Sequence, residues 1–261
     1  MLLFVWILGP VAFTGAQDNH EQMFQWQDGI KAAVCLTYDD GLDCHLDVAA
    51  PALEKYGMRG TFYCTGNSPS LFARTVEWRA MASRGHELGN HTLFHPCHGD
   101  KFDWVKPEQD LNGYSVEQLL DELRTANTLL KAIDGLERRT FAYTCTNHTI
   151  NGVSFIDSLR NLFTAARGGG PVPNSMEGID PYYMPSWGVV DPTGDELIAY
   201  VKEALSKGTM AVFMFHSVGG GYLNVSAEAH ERLLEYLDQN RVLIWTDTFL
   251  HVMEYVKAMS D

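Results

Sequence analysis

An apolar run at residues 32–36 climbs directly into Thr37-Tyr38 and then two adjacent carboxylates and a glycine, Asp39-Asp40-Gly41. Such a run reads as a buried strand whose end opens into a loop that carries chemistry. Side by side at a strand end, two aspartates repel, and desolvation raises the cost of charging both. A cation between them would relieve the conflict. The residues able to complete its ligand set therefore decide what the chain does.

Downstream, strand and helix patterns alternate to the end of the chain. Short β-branched, aromatic or apolar runs mark strands at 61–64, 86–89, 140–143, 164–167, 210–215 and 242–245. Helical spacing predicts helices over 45–56, 71–83, 115–133, 154–162, 196–206, 226–240 and 249–259. The clearest is 115–133, where Ser115 and Gln118 have capping-box spacing and Leu119, Leu120, Leu123, Ala126, Leu130 and Ile133 form an apolar stripe. Residues 96–114 are polar and aromatic, as expected of a surface loop over a site. Alternation of this kind implies a parallel sheet. With about seven parallel strands, the expected fold class is α/β, a single-domain (β/α) barrel over residues 30–261 behind a connector at 17–29.

The 261 residues, 46% of them hydrophobic, suffice for one such core. A formal charge of -14 repels nucleic acid and anionic lipid and suits a neutral substrate better. Residues 1–16 are apolar and give way to polar residues at Gln17, and Thr14 and Ala16 fit a cleavage site, although no Lys or Arg precedes the run. It is too short to span a bilayer comfortably and reads as a secretory signal peptide, which makes the expected location secreted, extracellular or periplasmic. No later segment is apolar enough to cross a membrane, and no protein partner is signalled. Cys35, Cys44, Cys64, Cys97 and Cys145 match no zinc-finger spacing. In an exported protein one disulfide is expected, and Cys97 with Cys145 is the candidate because both follow segments expected at the site. Five free thiols is the alternative.

The second cluster is Gly89-Asn90-His91-Thr92-Leu93-Phe94-His95-Pro96. Two histidines four apart in a turn after a strand can aim at one point. Asp40, His91 and His95 supply a carboxylate and two imidazoles and leave positions open, the pattern of a catalytic zinc site. The same set describes the facial triad of non-haem iron oxygenases. The extra Asp39 favours a hydrolase: a metal lowers the pKa of bound water from 15.7 to about 7, and a neighbouring carboxylate then serves as base, contributing roughly 10²–10⁴-fold. His98 reads as loop surface.

Thr37-Tyr38-Asp39-Asp40-Gly41 resembles the first motif, T-F-D-D-G, of the polysaccharide deacetylases, carbohydrate esterase family four with the NodB homology domain. His91-Thr92-Leu93-Phe94-His95 resembles the second, H-[ST]-x-x-H, and Phe213-Met214-Phe215-His216 the fifth, an apolar strand ending in histidine. The three occur in the family's order. The resemblance implies a distorted (β/α) barrel that removes acetyl groups from chitin-like, peptidoglycan or xylan substrates. It implies Asp39 as base, Asp40, His91 and His95 as ligands of a divalent metal (zinc first, cobalt or another ion as alternatives), and His216 as the acid for the leaving amine or alcohol.

In the third motif the sequence departs from the family. Where R-x-x-P-[YF] is usual, this chain has Phe141-Ala142-Tyr143-Thr144-Cys145, which is similar to a branch with F-A-Y-P but lacks its proline. Arg167, at the end of the next strand, is the expected replacement for the missing cation. The Cys145 amide is the expected oxyanion donor, since a backbone N–H survives side-chain change. Tyr143 accompanies it as a substrate-binding residue. The fourth motif is weakly kept in Met184-Pro185-Ser186-Trp187-Gly188, where Trp187 is the candidate wall of an acetyl pocket. Asp191 is the candidate partner of His216, and Trp104, Tyr182, Tyr183 and Tyr222 are candidates for a sugar-stacking groove.

The resulting expectation is a metal-dependent carbohydrate deacetylase acting on an acetylated oligo- or polysaccharide. Two other classes stay open. One is a carbohydrate-binding protein on the same fold without turnover, and the other is a hydrolase of small amides.

Overall fold

A computed structural model describes residues 24–260. The expected signal peptide at 1–16 and the start of the connector lie outside the described residues. The remainder of the connector packs onto the domain: Trp26 Nε1 donates to Gly208 O at 2.9 Å, and Phe24 and Trp26 meet the rings of Tyr255 and Trp245.

The chain runs through β1 (Ala32–Asp39), α1 (Ala50–Lys55), β2 (Thr61–Cys64), α2 (Pro69–Ala73), α3 (Thr75–Ser83), β3 (Glu87–Asn90), α4 (Val116–Asp134) and β4 (Phe141–Ala142). It continues through β5 (Thr149–Ile150), β6 (Val153–Ser154), β7 (Ala166–Arg167), β8 (Trp187–Gly188), α5 (Gly194–Lys207), β9 (Met210–Phe215), α6 (Ala227–Gln239), β10 (Ile244–Thr246) and α7 (Phe249–Ser260). Every residue of β1 is buried, as a strand covered on both faces must be.

Eight strands form one parallel sheet in the order β7-β4-β3-β2-β1-β9-β8, with β10 also on β1. β9 follows β1 from Ala33↔Met210 to Tyr38↔Phe215 and so occupies one edge almost throughout. β10 and β2 share the other edge, β10 at Ala32–Val34 and β2 at Thr37–Asp39. The segment before and through β8 joins the two ends of the sheet. Met184 N donates to Ala166 O at 2.9 Å and Gly168 N to Met184 O at 2.8 Å, and Trp187 then registers with Phe213. The sheet thus curls into the expected barrel. β8 has only two residues, too few to show a period, and the sequence pattern misses it.

Period-2 alternation sorts the side chains of β1 into two sets. Ala32, Val34, Leu36 and Tyr38 join the core between sheet and helices, with Ala211, Phe213 and Phe215 of β9 beside them. Ala33 and Cys35 point into the barrel with Met210 and Val212, and Asp39 continues that inward series.

Three predicted helices differ. The 71–83 helix breaks at Arg74 (φ −122°, ψ 29°), whose guanidinium is drawn to Asp47 and Glu77. The 45–56 helix opens as a π-helical turn at His45–Ala49. The 154–162 helix reduces to a 3₁₀ turn at Ile156–Leu159, because Asn151 and Gly152 adopt positive φ and fold 149–154 into the β5–β6 hairpin. α4 has its Ser115 cap, with Oγ accepting from Gln118 N at 3.1 Å, and ends at Gly135 in the left-handed region. Among the described residues no helix is long and apolar enough to cross a membrane.

Three buried histidines hold the layers together in the neutral form. His86 Nδ1 accepts from Gly60 N at 3.1 Å, His45 Nδ1 from Leu42 N at 3.2 Å, and His230 Nε2 meets the Tyr38 hydroxyl at 2.7 Å. Burial is the main cause that pushes all three down to about 4. Since free histidine titrates near about 6.5, their stabilisation is complete above that pH and is lost as pH falls toward 4. Glu87 and Glu122, both pushed up by burial, act in the opposite sense and offset part of this. Thermal unfolding followed from neutral pH downward should show Tm falling through this window, as stability drops by on the order of 3 kcal/mol per histidine. His230→Gln should make the fall shallower. A Tm level across the window rules this account out.

Candidate active site

The site lies at the C-terminal ends of the strands, where active sites of such barrels sit. An open cavity of about 1310 Å³ there is lined by Asp39, Asp40, His91, His95, Tyr143, Cys145 and His216, among others. Consecutive strand residues point to opposite faces, so Asp39 and Asp40 would ordinarily part company. They do not, because Asp40 (φ 79°) and Gly41 (φ 65°) leave β1 in the left-handed region and turn the second carboxylate back toward the cavity. Thr92 (φ 66°) and His95 (φ 55°) bend the chain after β3 in the same way.

Asp40 Oδ1 lies 3.5 Å from His91 Nε2 and 3.5 Å from His95 Nε2. His91 Nδ1 is 2.8 Å from Ala142 O. A carbonyl only accepts, so Nδ1 carries the proton, and in the neutral ring Nε2 presents a lone pair to the carboxylate. Burial, followed by His91, pushes His95 down to about 4, which leaves its ring neutral at physiological pH. Two imidazole lone pairs and a carboxylate oxygen facing one another repel unless a cation lies among them. The three donors therefore suit a divalent metal, and the hydrogen bond behind His91 is the outer support such ligands require.

Asp39 is set for a different task. Arg167 Nη2 donates to its Oδ2 at 2.6 Å, while Oδ1 is buried without a hydrogen-bond partner among the described residues. Burial alone would raise its pKa. The Arg167 guanidinium, helped by His91 and His216, outweighs this and holds the carboxyl below its ordinary value. Arg167 itself is 1% exposed and stacks over the Tyr63 ring at 5.0 Å. Tyr63 has room because of Gly89, where a Cβ would come within 2.3 Å of that ring. The pattern of the sequence singles out neither residue for this arrangement. Asn90, also unassigned from sequence, accepts from Thr92 N at 2.8 Å and donates to Leu123 O at 3.0 Å, tying the histidine turn to α4.

The structure joins Cys97 to Cys145, and Cys35, Cys44 and Cys64 are free. Cys145 (φ 50°) stands at the turn after β4 on the cavity wall, and Tyr143 beside it donates its hydroxyl to Tyr182 O at 2.7 Å. His216 follows β9, with Nε2 4.0 Å from Asp40 Oδ2 and Nδ1 buried without a partner among the described residues. Asp191 is not that partner. It is exposed, and its backbone N–H donates to Asn224 O at 2.7 Å.

Trp187 is a second correction. On β8 its side chain points away from the cavity and packs against Tyr200 and Phe213, with ring centroids 5.2 and 6.0 Å away. Its neighbours Ser186 and Gly188 face the cavity instead, as alternation requires. Of the groove aromatics, Trp104 and Tyr222 line the cavity, Tyr182 is in the core, and Tyr183 packs beneath on Tyr143 and His148. His98 is buried, with Nδ1 2.9 Å from Asn112 Oδ1.

Residues 27–153 match the polysaccharide deacetylase family model. Through that stretch, just under half of the chain, the sequence is similar to the polysaccharide deacetylases. The match covers the segments that carry Asp39, Asp40, His91 and His95 and the turn after β4. Among curated relatives, a gellan lyase from Bacillus sp is 26% identical over 164 residues, 63% of this chain and 6% of that protein. A peptidoglycan-N-acetylglucosamine deacetylase from Bacillus cereus is 38% identical over 69 residues, 25% of this chain and 24% of the relative. The chain thus spans well under half the length of these relatives. A crystal structure of a putative polysaccharide deacetylase from Mycobacterium smegmatis superposes with a TM-score of 0.64 at 14% identity, covering 90% of this chain and 93% of the other. This likeness is one of fold, and it extends beyond residue 153.

Proposed function

We propose that the protein is a secreted, metal-dependent hydrolase that removes acetyl groups from an acetylated carbohydrate. The observation that carries this reading is the division of labour between adjacent carboxylates. Asp40 faces two imidazole lone pairs, whereas Asp39 is held by Arg167 with one oxygen free. Asp40, His91 and His95 would hold zinc, or cobalt or another divalent ion. When bound, such an ion supplies Lewis-acid polarisation and acidifies water. Asp39 Oδ1 accepts a proton, and the depressed pKa keeps this base ionised at neutral pH. His216, across the cavity, donates a proton to the departing amine or hydroxyl. Cys145 and Tyr143 line the cavity, which supports the Cys145 N–H as the oxyanion donor.

A formal charge of -14 and the carboxylates of Asp39, Asp40 and Asp43 at the cavity suit a neutral glycan. The name of the Bacillus cereus relative supports an N-acetylated sugar. The leader-like residues 1–16 and the Cys97–Cys145 bond support export. Acetate release should be measured on acetylated chitooligosaccharide, peptidoglycan and acetylxylan, with and without a strong chelator. Turnover is expected to fall to background with chelator and to return with Zn²⁺ or Co²⁺. Turnover that ignores the chelator rejects the metal-dependent reading.

One observation favours a second reading, a carbohydrate binder without turnover: among the described residues, the Nδ1 of His216 has no hydrogen-bond partner. That reading requires no acetate from any of the three substrates, with or without added metal. Small acetylated amides in the same panel separate an amidase from a deacetylase of polymers.

A further inference from the structure

Loop 217–225 follows the barrel strand β9 and returns over the cavity. Its neck is closed by Val225 N donating to Ser217 O and Gly219 N to Val225 O, both at 2.9 Å, and by Gly220 N donating to Asn224 Oδ1 at 2.7 Å. Gly219, Gly220 and Gly221 take φ of 82°, 134° and 121°, a path closed to residues with a Cβ, and at Gly221 that atom would lie 2.4 Å from Ser217 Oγ. The path brings Tyr222 over the site. Its hydroxyl donates to Asp40 Oδ2, and its ring centroid is 5.7 Å from that of His216.

The two oxygens of Asp40 are thereby distinguished. Oδ1 faces His91 and His95, and Oδ2 is claimed by Tyr222. A carboxylate with one free oxygen rotates about its last torsion, which is broad and roughly two-fold. Anchoring Oδ2 removes that freedom and keeps Oδ1 directed between the imidazoles. We propose that Tyr222 is a positioning residue for the Asp40 carboxylate, presetting the metal site through its hydroxyl. A sugar-stacking role alone would leave that hydroxyl without a function. The inference rests on the metal-binding reading of Asp40, His91 and His95.

The test is Co²⁺ affinity of the full chain, measured by competition with a chelator for wild type, Tyr222→Phe and Tyr222→Ala. Loss of an outer hydrogen bond to a ligand costs roughly 10–100-fold in metal affinity. Tyr222→Phe is therefore expected to bind Co²⁺ roughly 10–100-fold more weakly, with the metal-free Tm little changed. Tyr222→Ala should show the same metal defect and, through loss of the ring over His216, a higher KM as well. Wild-type Co²⁺ affinity in Tyr222→Phe overturns the positioning role and leaves the metal site standing. A lower metal-free Tm that accounts for the weaker binding also overturns it. Wild type that binds no Co²⁺ removes the metal reading and this inference together.

Discussion

Arg167→Ala is expected to abolish most turnover and to destabilise the fold. Asp39 is 2% exposed, and the guanidinium is the one cation hydrogen-bonded to it among the described residues. Removing one partner of a buried pair leaves an uncompensated charge, at a cost of about 3–5 kcal/mol. The carboxyl escapes much of that cost by taking up a proton, because burial now acts with less opposition and raises its pKa. A protonated Asp39 cannot serve as base, so kcat at neutral pH should fall roughly 10²–10⁴-fold and recover in part as pH rises. Asp39→Asn should lose a similar factor without the pH-dependent recovery, while its amide oxygen still accepts from Arg167 and preserves Tm. Steady-state acetate release over a pH series, with Tm measured alongside, distinguishes the two. An Arg167→Ala enzyme with wild-type kcat and pH profile ends the assignment.

Loss of the disulfide is the other large effect. Cys97 and Cys145 are 48 residues apart, and closing a loop of that length lowers the entropy of the unfolded chain. The chain-entropy model puts the stabilisation at about 4 kcal/mol. For a domain of this size that corresponds to a Tm lowered by roughly 10 °C. Cys97 also anchors the 96–114 loop, with Cys97 N donating to Gln109 O and Leu111 N to Cys97 O. His95 lies two residues before one cysteine, and the other belongs to the turn on the cavity wall. Cys97→Ala with Cys145→Ala should therefore raise KM and lower kcat as well as Tm. Reducing wild type should reproduce the Tm shift, and the double variant should not respond to reductant. A double variant with unchanged Tm would show that the bond contributes nothing to stability.

Much of the barrel can be read from patterns of adequate length. The runs at β1 and β9 and the capped stripe of α4 are long enough for one period to dominate. Where elements shrink to two residues pattern weakens: the runs at 140–143 and 164–167 find β4 and β7 but overstate their length, and β8 is missed. Trp187 shows the consequence. Its motif places it at the site, but the pleat of β8, set by register with Phe213, turns it outward. Asp191 fails for a related reason, since nearness in sequence to a site segment says nothing about which way a loop residue turns.

The order of residues by itself determined which groups can do the chemistry: a carboxylate pair ending a buried strand, two histidines four apart, and a histidine ending another strand. Their spacing along the chain is local, and local spacing survives folding. Tertiary structure alone decided how the groups divide the work. Positive φ at Asp40 turns both carboxylates to one side, and contacts across 128 and 182 residues place Arg167 on Asp39 and Tyr222 on Asp40. No local pattern encodes such contacts, because they depend on which strand ends and loops the closed sheet brings together.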